Sequence, residues 1–151
     1  MNIDKTNEYQ VTVLMGAPGA GKSTWVKKHR VDEYVYNTEG VRIDRDLDIA
    51  SYMHQQRVKA IKAVESGSRL IADGTHTIQS HRLIWLNLAK RLNLTIRLIA
   101  FNTPLATCLA VQKAREYPAP DKVVRSHSHK MHTALQQAKR EGWSHVEIIN
   151  R

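Results

Sequence analysis

The run Gly16-Ala17-Pro18-Gly19-Ala20-Gly21-Lys22-Ser23, followed by Thr24, carries the strongest chemical signal in the chain. It fits the phosphate-binding pattern G-x-x-x-x-G-K-[ST] at every fixed position. Glycines let the backbone turn so that successive N–H groups converge on phosphate oxygens. A helix opening at Lys22 presents its positive N-terminal end to the same anion. In this pattern Lys22 reaches the β- and γ-phosphates, and the Ser23 hydroxyl ligates the Mg²⁺ that bridges them. ATP and Mg²⁺ are therefore the expected cofactors, with Gly16 to Thr24 as the nucleotide-binding residues. The loop alone leaves the acceptor open between water and a substrate hydroxyl.

Transfer to a hydroxyl calls for a carboxylate near the loop, and three acids are candidates. Asp44 and Asp46 flank Arg45 just after the second expected strand, and Asp73 ends the third. In an open parallel sheet, ligands bind at the carboxyl ends of the strands, so these acids should face the phosphate loop. One can accept the proton of an attacking hydroxyl, and another can hold the metal directly or through water. Asp46 would equally suit the first turn of a helix, where an acid complements the dipole, and Asp73-Gly74-Thr75 would suit a turn. The latter run echoes the aspartyl phosphatase pattern D-x-D-G-T, but the nucleophile position falls on Ile71, which excludes that site.

Among the bases, Lys113 and Arg115 precede the loop Glu116-Tyr117-Pro118-Ala119-Pro120. A helix–loop–helix here reads as a lid over the nucleotide, and a lid arginine can stabilise charge on the transferring phosphoryl group. A cation complementing a helix C-terminus is the alternative. Arg97, inside a strand, reads as a solvated or edge position. His127, His129 and His132 share one helix with no cysteine or carboxylate to complete a metal site, and read as a solvated polar face. Arg125, Lys130, Lys139 and Arg140 on that helix could extend a phosphate-binding surface.

The elements that must position these groups alternate. Strands are expected over Gln10–Met15, Val41–Asp44, Arg69–Asp73, Leu94–Phe101 and Val146–Ile149. Helices are expected from Lys22 to about Arg30, over Asp46–Ser66, over residues 78–92, from Thr103-Pro104 to near Arg115, and from Asp121 to about Glu141. Thr103 should be the N-cap of its helix with Pro104 at the first position, Asp121 should cap the next, and Gly67 and Gly142 should stop the helices before them. Residues 31–40 show no clear period. The pattern predicts an α/β fold, a mostly parallel five-stranded sheet flanked by helices and joined by right-handed crossovers. Residues 1–9 read as a polar tail and 10–151 as one domain.

Composition sets the wider bounds. With 151 residues the chain can bury one sizeable core. Lys plus Arg is 23 against 14 Asp plus Glu, a formal net charge of +9, which should attract polyanions or serve solubility. Cys108 is the single cysteine, so no intrachain disulfide can form. No apolar run reaches the roughly 20 residues of a membrane span, and the N-terminus lacks a signal-peptide core. A cytoplasmic protein with no membrane partner is expected.

Four separated segments resemble one family, the kinase domain of the polynucleotide 5′-kinases of tailed phages. They are GAPGAGKSTW at Gly16–Trp25; Ile43-Asp44-Arg45-Asp46; Ile71 to Arg82, leading to Trp85; and Phe101-Asn102-Thr103-Pro104 with Arg115, Val123-Val124-Arg125-Ser126 and Met131. The resemblance implies a P-loop kinase domain with a helical lid, without the phosphatase domain that accompanies many such kinases. It implies transfer of the γ-phosphate of ATP to the 5′-hydroxyl of DNA or RNA, a nucleic-acid repair chemistry. Its partner would be a nucleic acid with a 5′-hydroxyl end. Asp46 resembles the general base, Lys22 and Ser23 the ATP and Mg²⁺ residues, and Arg115 the lid arginine on the donor phosphates. Arg45 falls beside the acceptor path, with Asp73 as a second acceptor-side residue. The chain departs from the pattern at Ile49 and Val111, where the family carries arginines. Another hydroxyl acceptor, on a modified DNA base, a nucleoside or a small metabolite, is the alternative.

Overall fold

A computed structural model describes residues 9–37 and 49–151 of the chain. The elements run β1 (Val11–Met15), α1 (Lys22–His29), β2 (Tyr34–Asn37), α2 (Ile49–Glu65), β3 (Leu70–Asp73), α3 (Gln79–Leu92), β4 (Ile96–Asn102), α4 (Leu105–Lys113), α5 (Asp121–Ala138) and β5 (His145–Asn150). The five strands form one sheet in the order β2-β3-β1-β4-β5, and every pairing is parallel. The sheet expected to be mostly parallel is parallel throughout.

This order places β1 at the centre, where chain progression switches direction: β3 lies on one side and β4 on the other. A crevice opens at the carboxyl end of such a switch point, and Gly16 begins there. Alternating side chains of the strands feed two cores. Val11, Val13, Met15, Ala72, Leu98 and Ala100 meet residues of α2, α3 and α5, including Ala60, Trp85 and Met131. Leu14, Ile71, Ile99 and Phe101 meet Trp25 of α1 and Cys108 of α4. Strands buried on both faces read as unbroken apolar runs, which is why β1, β3 and β4 were conspicuous.

Several expectations need correction. Tyr34–Asn37, within the stretch without a clear period, is a strand paired with β3 from Tyr34↔Leu70 to Asn37↔Asp73. It is short and lies at the sheet edge, so only Tyr36 is fully buried, too little for a pattern. The strand expected over Val41–Asp44 and the helix start at Asp46 lie outside the described residues. Arg97 is not solvated: β4 is an interior strand, and the side chain is 4% exposed. Its Nε donates to Thr12 Oγ1 at 3.0 Å, and its guanidinium lies 5.1 Å from the Tyr9 ring centre and 5.5 Å from that of Trp25. Aromatic faces and a hydroxyl replace the water that the charge gives up. Thr103 does not cap α4, whose N-cap is Pro104; its hydroxyl instead donates to Ala20 O at 2.7 Å. Asp121 is the first helical residue of α5 rather than its cap, and that helix ends at Ala138.

One buried ion pair fastens α3 to the chain beyond α5. Arg82 donates from Nε to Glu141 Oε1 and from Nη2 to Glu141 Oε2, both at 2.9 Å, with side chains 0% and 4% exposed. Burial pushes the Glu141 carboxyl up, but hydrogen bonds from Arg82, Trp143 and Gln79 outweigh it and hold the group below its ordinary value. Removing one member of such a pair strands the other charge. Arg82→Ala should therefore lower unfolding free energy by about 3 kcal/mol or more, and Glu141→Gln, which keeps an acceptor oxygen, by less. Denaturant unfolding checks this; a loss below about 1 kcal/mol, the range of exposed pairs, would contradict it.

Candidate active site

The phosphate loop leaves β1 and opens α1, as the spacing of Gly16 to Ser23 demands. Gly19 and Gly21 adopt φ of 86° and 111°, conformations that favour glycine. At Gly19 space matters as well: a Cβ would lie 2.5 Å from Cys108 O, so α4 packs directly on the loop. The Cys108 thiol, pushed up by burial, is a packing group there. Lys22 is 2% exposed and donates from Nζ to Gly16 O at 2.8 Å and Ala17 O at 2.9 Å. The two carbonyls pin the ammonium inside the concavity of the loop. The N–H groups of the first turn of α1 have no carbonyl within the helix to bond. Cation and N–H groups together make an anion cradle. Ser23 is half-buried beside it, whereas Thr24 is exposed.

Asp73 is brought to the same edge. It is 1% exposed, closes β3 and pairs in register with Leu14 of β1. Two residues later Thr75 O accepts the Gly16 N–H at 2.9 Å. The β3 exit and the phosphate loop are thus joined by a main-chain hydrogen bond. Asp44, Arg45 and Asp46 lie outside the described residues. Arg115 is half-buried in the connection between α4 and α5, with its N–H bonded to Gln112 O at 3.0 Å. Gln112, 2% exposed, accepts from Ala119 N at 2.8 Å and ties the two ends of that helix–loop–helix together. Oxygen donors such as Ser23 and Asp73 suit a hard cation. Among the described residues no group of three His, Cys, Asp or Glu could hold a metal by itself.

The structure adds residues that no motif marked. His76 follows the Asp73-Gly74-Thr75 turn at φ 47°, in the left-handed region. Its Nδ1 donates to Leu14 O at 2.7 Å, and its Nε2 accepts from Trp85 Nε1 at 2.9 Å. This pairing specifies a neutral ring protonated on Nδ1. The next residue, Thr77, shares a hydrogen bond of 2.7 Å with His127 Nδ1, so His127 is half-buried rather than part of a wholly solvated face; His129 and His132 are exposed. Only the strand-end position of Asp73 hinted at this cluster.

A family model described as an AAA domain matches residues 11–138. Among solved structures, deoxyadenosine kinase from M. mycoides with bound dATP is similar at 14% identity and a TM-score of 0.61, over 93% of this chain and 90% of that one. The same enzyme with bound dCTP is similar at 12% identity and a TM-score of 0.50, over 93% of this chain and 89% of that one. These likenesses concern the fold, a P-loop kinase fold. No curated protein matches the chain. No helix among the described residues is long and apolar enough to cross a membrane.

Burial pushes the His76 imidazole down from 6.5 to about 4, the hydrogen bonds to Leu14 and Gly74 opposing it only in part. The unfolded chain takes up a proton near pH 6.5 that the folded site refuses until about pH 4. Stability should therefore fall as pH drops through that window, by on the order of 3 kcal/mol from this residue. His76→Asn, which tolerates the left-handed backbone, should flatten that part of the profile. Unfolding midpoints of both proteins across this pH range check it; parallel profiles would contradict it.

Proposed function

The chain belongs to the AAA-domain family of P-loop proteins, and from that premise we propose that it is an ATP-dependent kinase that phosphorylates the 5′-hydroxyl of a polynucleotide. One observation carries the phosphotransferase part. A phosphate cradle with a buried lysine adjoins, through the Gly16–Thr75 hydrogen bond, a strand end bearing a buried carboxylate. Donor and acceptor sides thus share one edge of the sheet. The polynucleotide part is supported by the four-segment resemblance and by the net charge of +9.

Lys22 holds the β- and γ-phosphates and offsets charge developing on the transferring group. Ser23 would hold Mg²⁺, which would supply further neutralisation of the phosphates. Asp46 takes the proton from the attacking 5′-hydroxyl, while Asp73 and Arg45 serve the acceptor side. Arg115, on the helix–loop–helix that packs against the loop at Gly19, contacts the donor phosphates. A second reading is a kinase for a nucleoside, a modified DNA base or a small metabolite. Ile49, where the resembled family carries an arginine, favours it, as does the fold likeness to an enzyme that is a deoxyadenosine kinase.

The test is label transfer from γ-labelled ATP with Mg²⁺ to a 5′-hydroxyl oligonucleotide, a base-modified duplex and a nucleoside panel, followed by exonuclease mapping. The expected result is label released with the first nucleotide, abolished in Lys22→Ala. In Asp46→Asn turnover should fall roughly 10²-fold at unchanged ATP affinity. A nucleoside as best acceptor, or label spread through the strand, would replace this reading with the second.

A further inference from the structure

The two ends of the phosphate loop meet different parts of the sheet. Gly16 is bonded to Thr75 in the turn that follows Asp73 of β3. At the other end, the Thr103 hydroxyl after β4 donates to Ala20 O at 2.7 Å, and Arg151, the residue after β5, lies over Gly21. A side-chain hydrogen bond of 3.1 Å from Asn102 Nδ2 to Asn150 Oδ1 joins those two strand ends. Atoms Cζ, Nη1 and Nη2 of Arg151 lie 2.8, 3.0 and 3.1 Å from the position a Cβ would take on Gly21. With Cζ nearest and the two nitrogens almost equidistant, the planar guanidinium lies face-on to Gly21. Arg151 is exposed, so the other face of the plane is open. Among the described residues no hydrogen bond or ion pair engages the group. Attraction to the loop does not account for its place, because Lys22 and the N-terminal end of α1 are both positive.

We propose that Arg151 is the base platform of the donor site: its guanidinium, backed by Gly21, stacks on the adenine of ATP. In phosphoryl transfer the attacking and leaving oxygens lie roughly in line on opposite sides of the phosphorus. The buried carboxylate of Asp73 and the β3 turn flank the Gly16 end of the loop. An acceptor entering there directs the leaving ADP toward the Gly21 end, where Arg151 lies. An arginine plane stacks on an aromatic ring through its face. Support from Gly21 on one side fixes the tilt of the plane and leaves the second face for the base. The inference rests on the kinase reading for ATP as donor, but its test is equilibrium binding and needs no turnover.

Affinities for a non-hydrolysable ATP analogue and for inorganic triphosphate, each with Mg²⁺, are measured by calorimetry in the wild-type protein, Arg151→Ala and Arg151→Lys. Triphosphate fills the loop without offering a base. The wild-type protein should prefer the analogue about tenfold or more, the effect of one base stack. Arg151→Ala should lose most of that preference. Arg151→Lys, which keeps the charge but not the plane, should lose it as well while holding triphosphate as the wild-type protein does. Arg151 is exposed, so neither substitution threatens folding. A preference unchanged in Arg151→Ala, or restored in full by Arg151→Lys, overturns the platform. A preference that depends on Arg151, with no label transferred to any acceptor, would instead overturn the kinase reading alone. Failure of both probes to bind would overturn the two together.

Discussion

The guanidinium of Arg82 is the point from which the carboxyl edge of the sheet is held. It is fully buried, and each of its donor nitrogens is engaged. Beyond the two bonds to Glu141 it donates to His76 O and to Gln137 Oε1, each at 2.9 Å, and lies 3.8 Å from Met15 Sδ. These partners belong to the last residue of β1, the turn after β3, and the end of α5. Arginine suits this place because its planar fork carries five donors in fixed directions, which a lysine cannot reproduce. A buried cation with all donors satisfied does not relax into alternative arrangements without stranding charge. The β3 turn is therefore held against both the strand that feeds the phosphate loop and the end of α5.

From that anchor the local geometry follows in order. His76, its carbonyl held by Arg82, adopts a left-handed backbone and clasps Leu14 O and the Trp85 indole. The turn preceding it is thereby positioned so that Thr75 O meets Gly16 N. On the far side of the loop, α4 presses the Cys108 carbonyl onto Gly19, and Thr103 holds Ala20 O. The phosphate loop is braced from β3 on one side and from α4 on the other. Under the kinase function proposed above, preorganisation of this kind would let loop N–H groups and Lys22 act on a phosphoryl group without reorganising first.

What could be read from residue order alone was what depends on short-range pattern. The loop motif needs only eight consecutive residues, and the interior strands need only an apolar run, so β1, β3, β4 and the loop were legible with the helices between them. Tyr34–Asn37 was not, because an edge strand of four residues with one buried side chain has no period to detect. Arg97 was misjudged because its burial depends on Trp25 and Tyr9, residues distant in sequence. Arg82, His76 and the Thr77–His127 contact depend on partners as far as 67 residues away, and no local pattern encodes those.

The account stands on nucleotide phosphates seated in the loop beside the β3 exit. Amide-resolved nuclear magnetic resonance during titration with an ATP analogue and Mg²⁺ measures this directly. The account predicts the largest shifts at the Gly16–Ser23 amides, smaller ones at Asp73–Thr75 across the Gly16–Thr75 hydrogen bond, and little change along the outer face of α3. Shifts centred instead on the surface hollow between Gln79 and Gln136, with the Gly16–Ser23 amides unmoved, would contradict it.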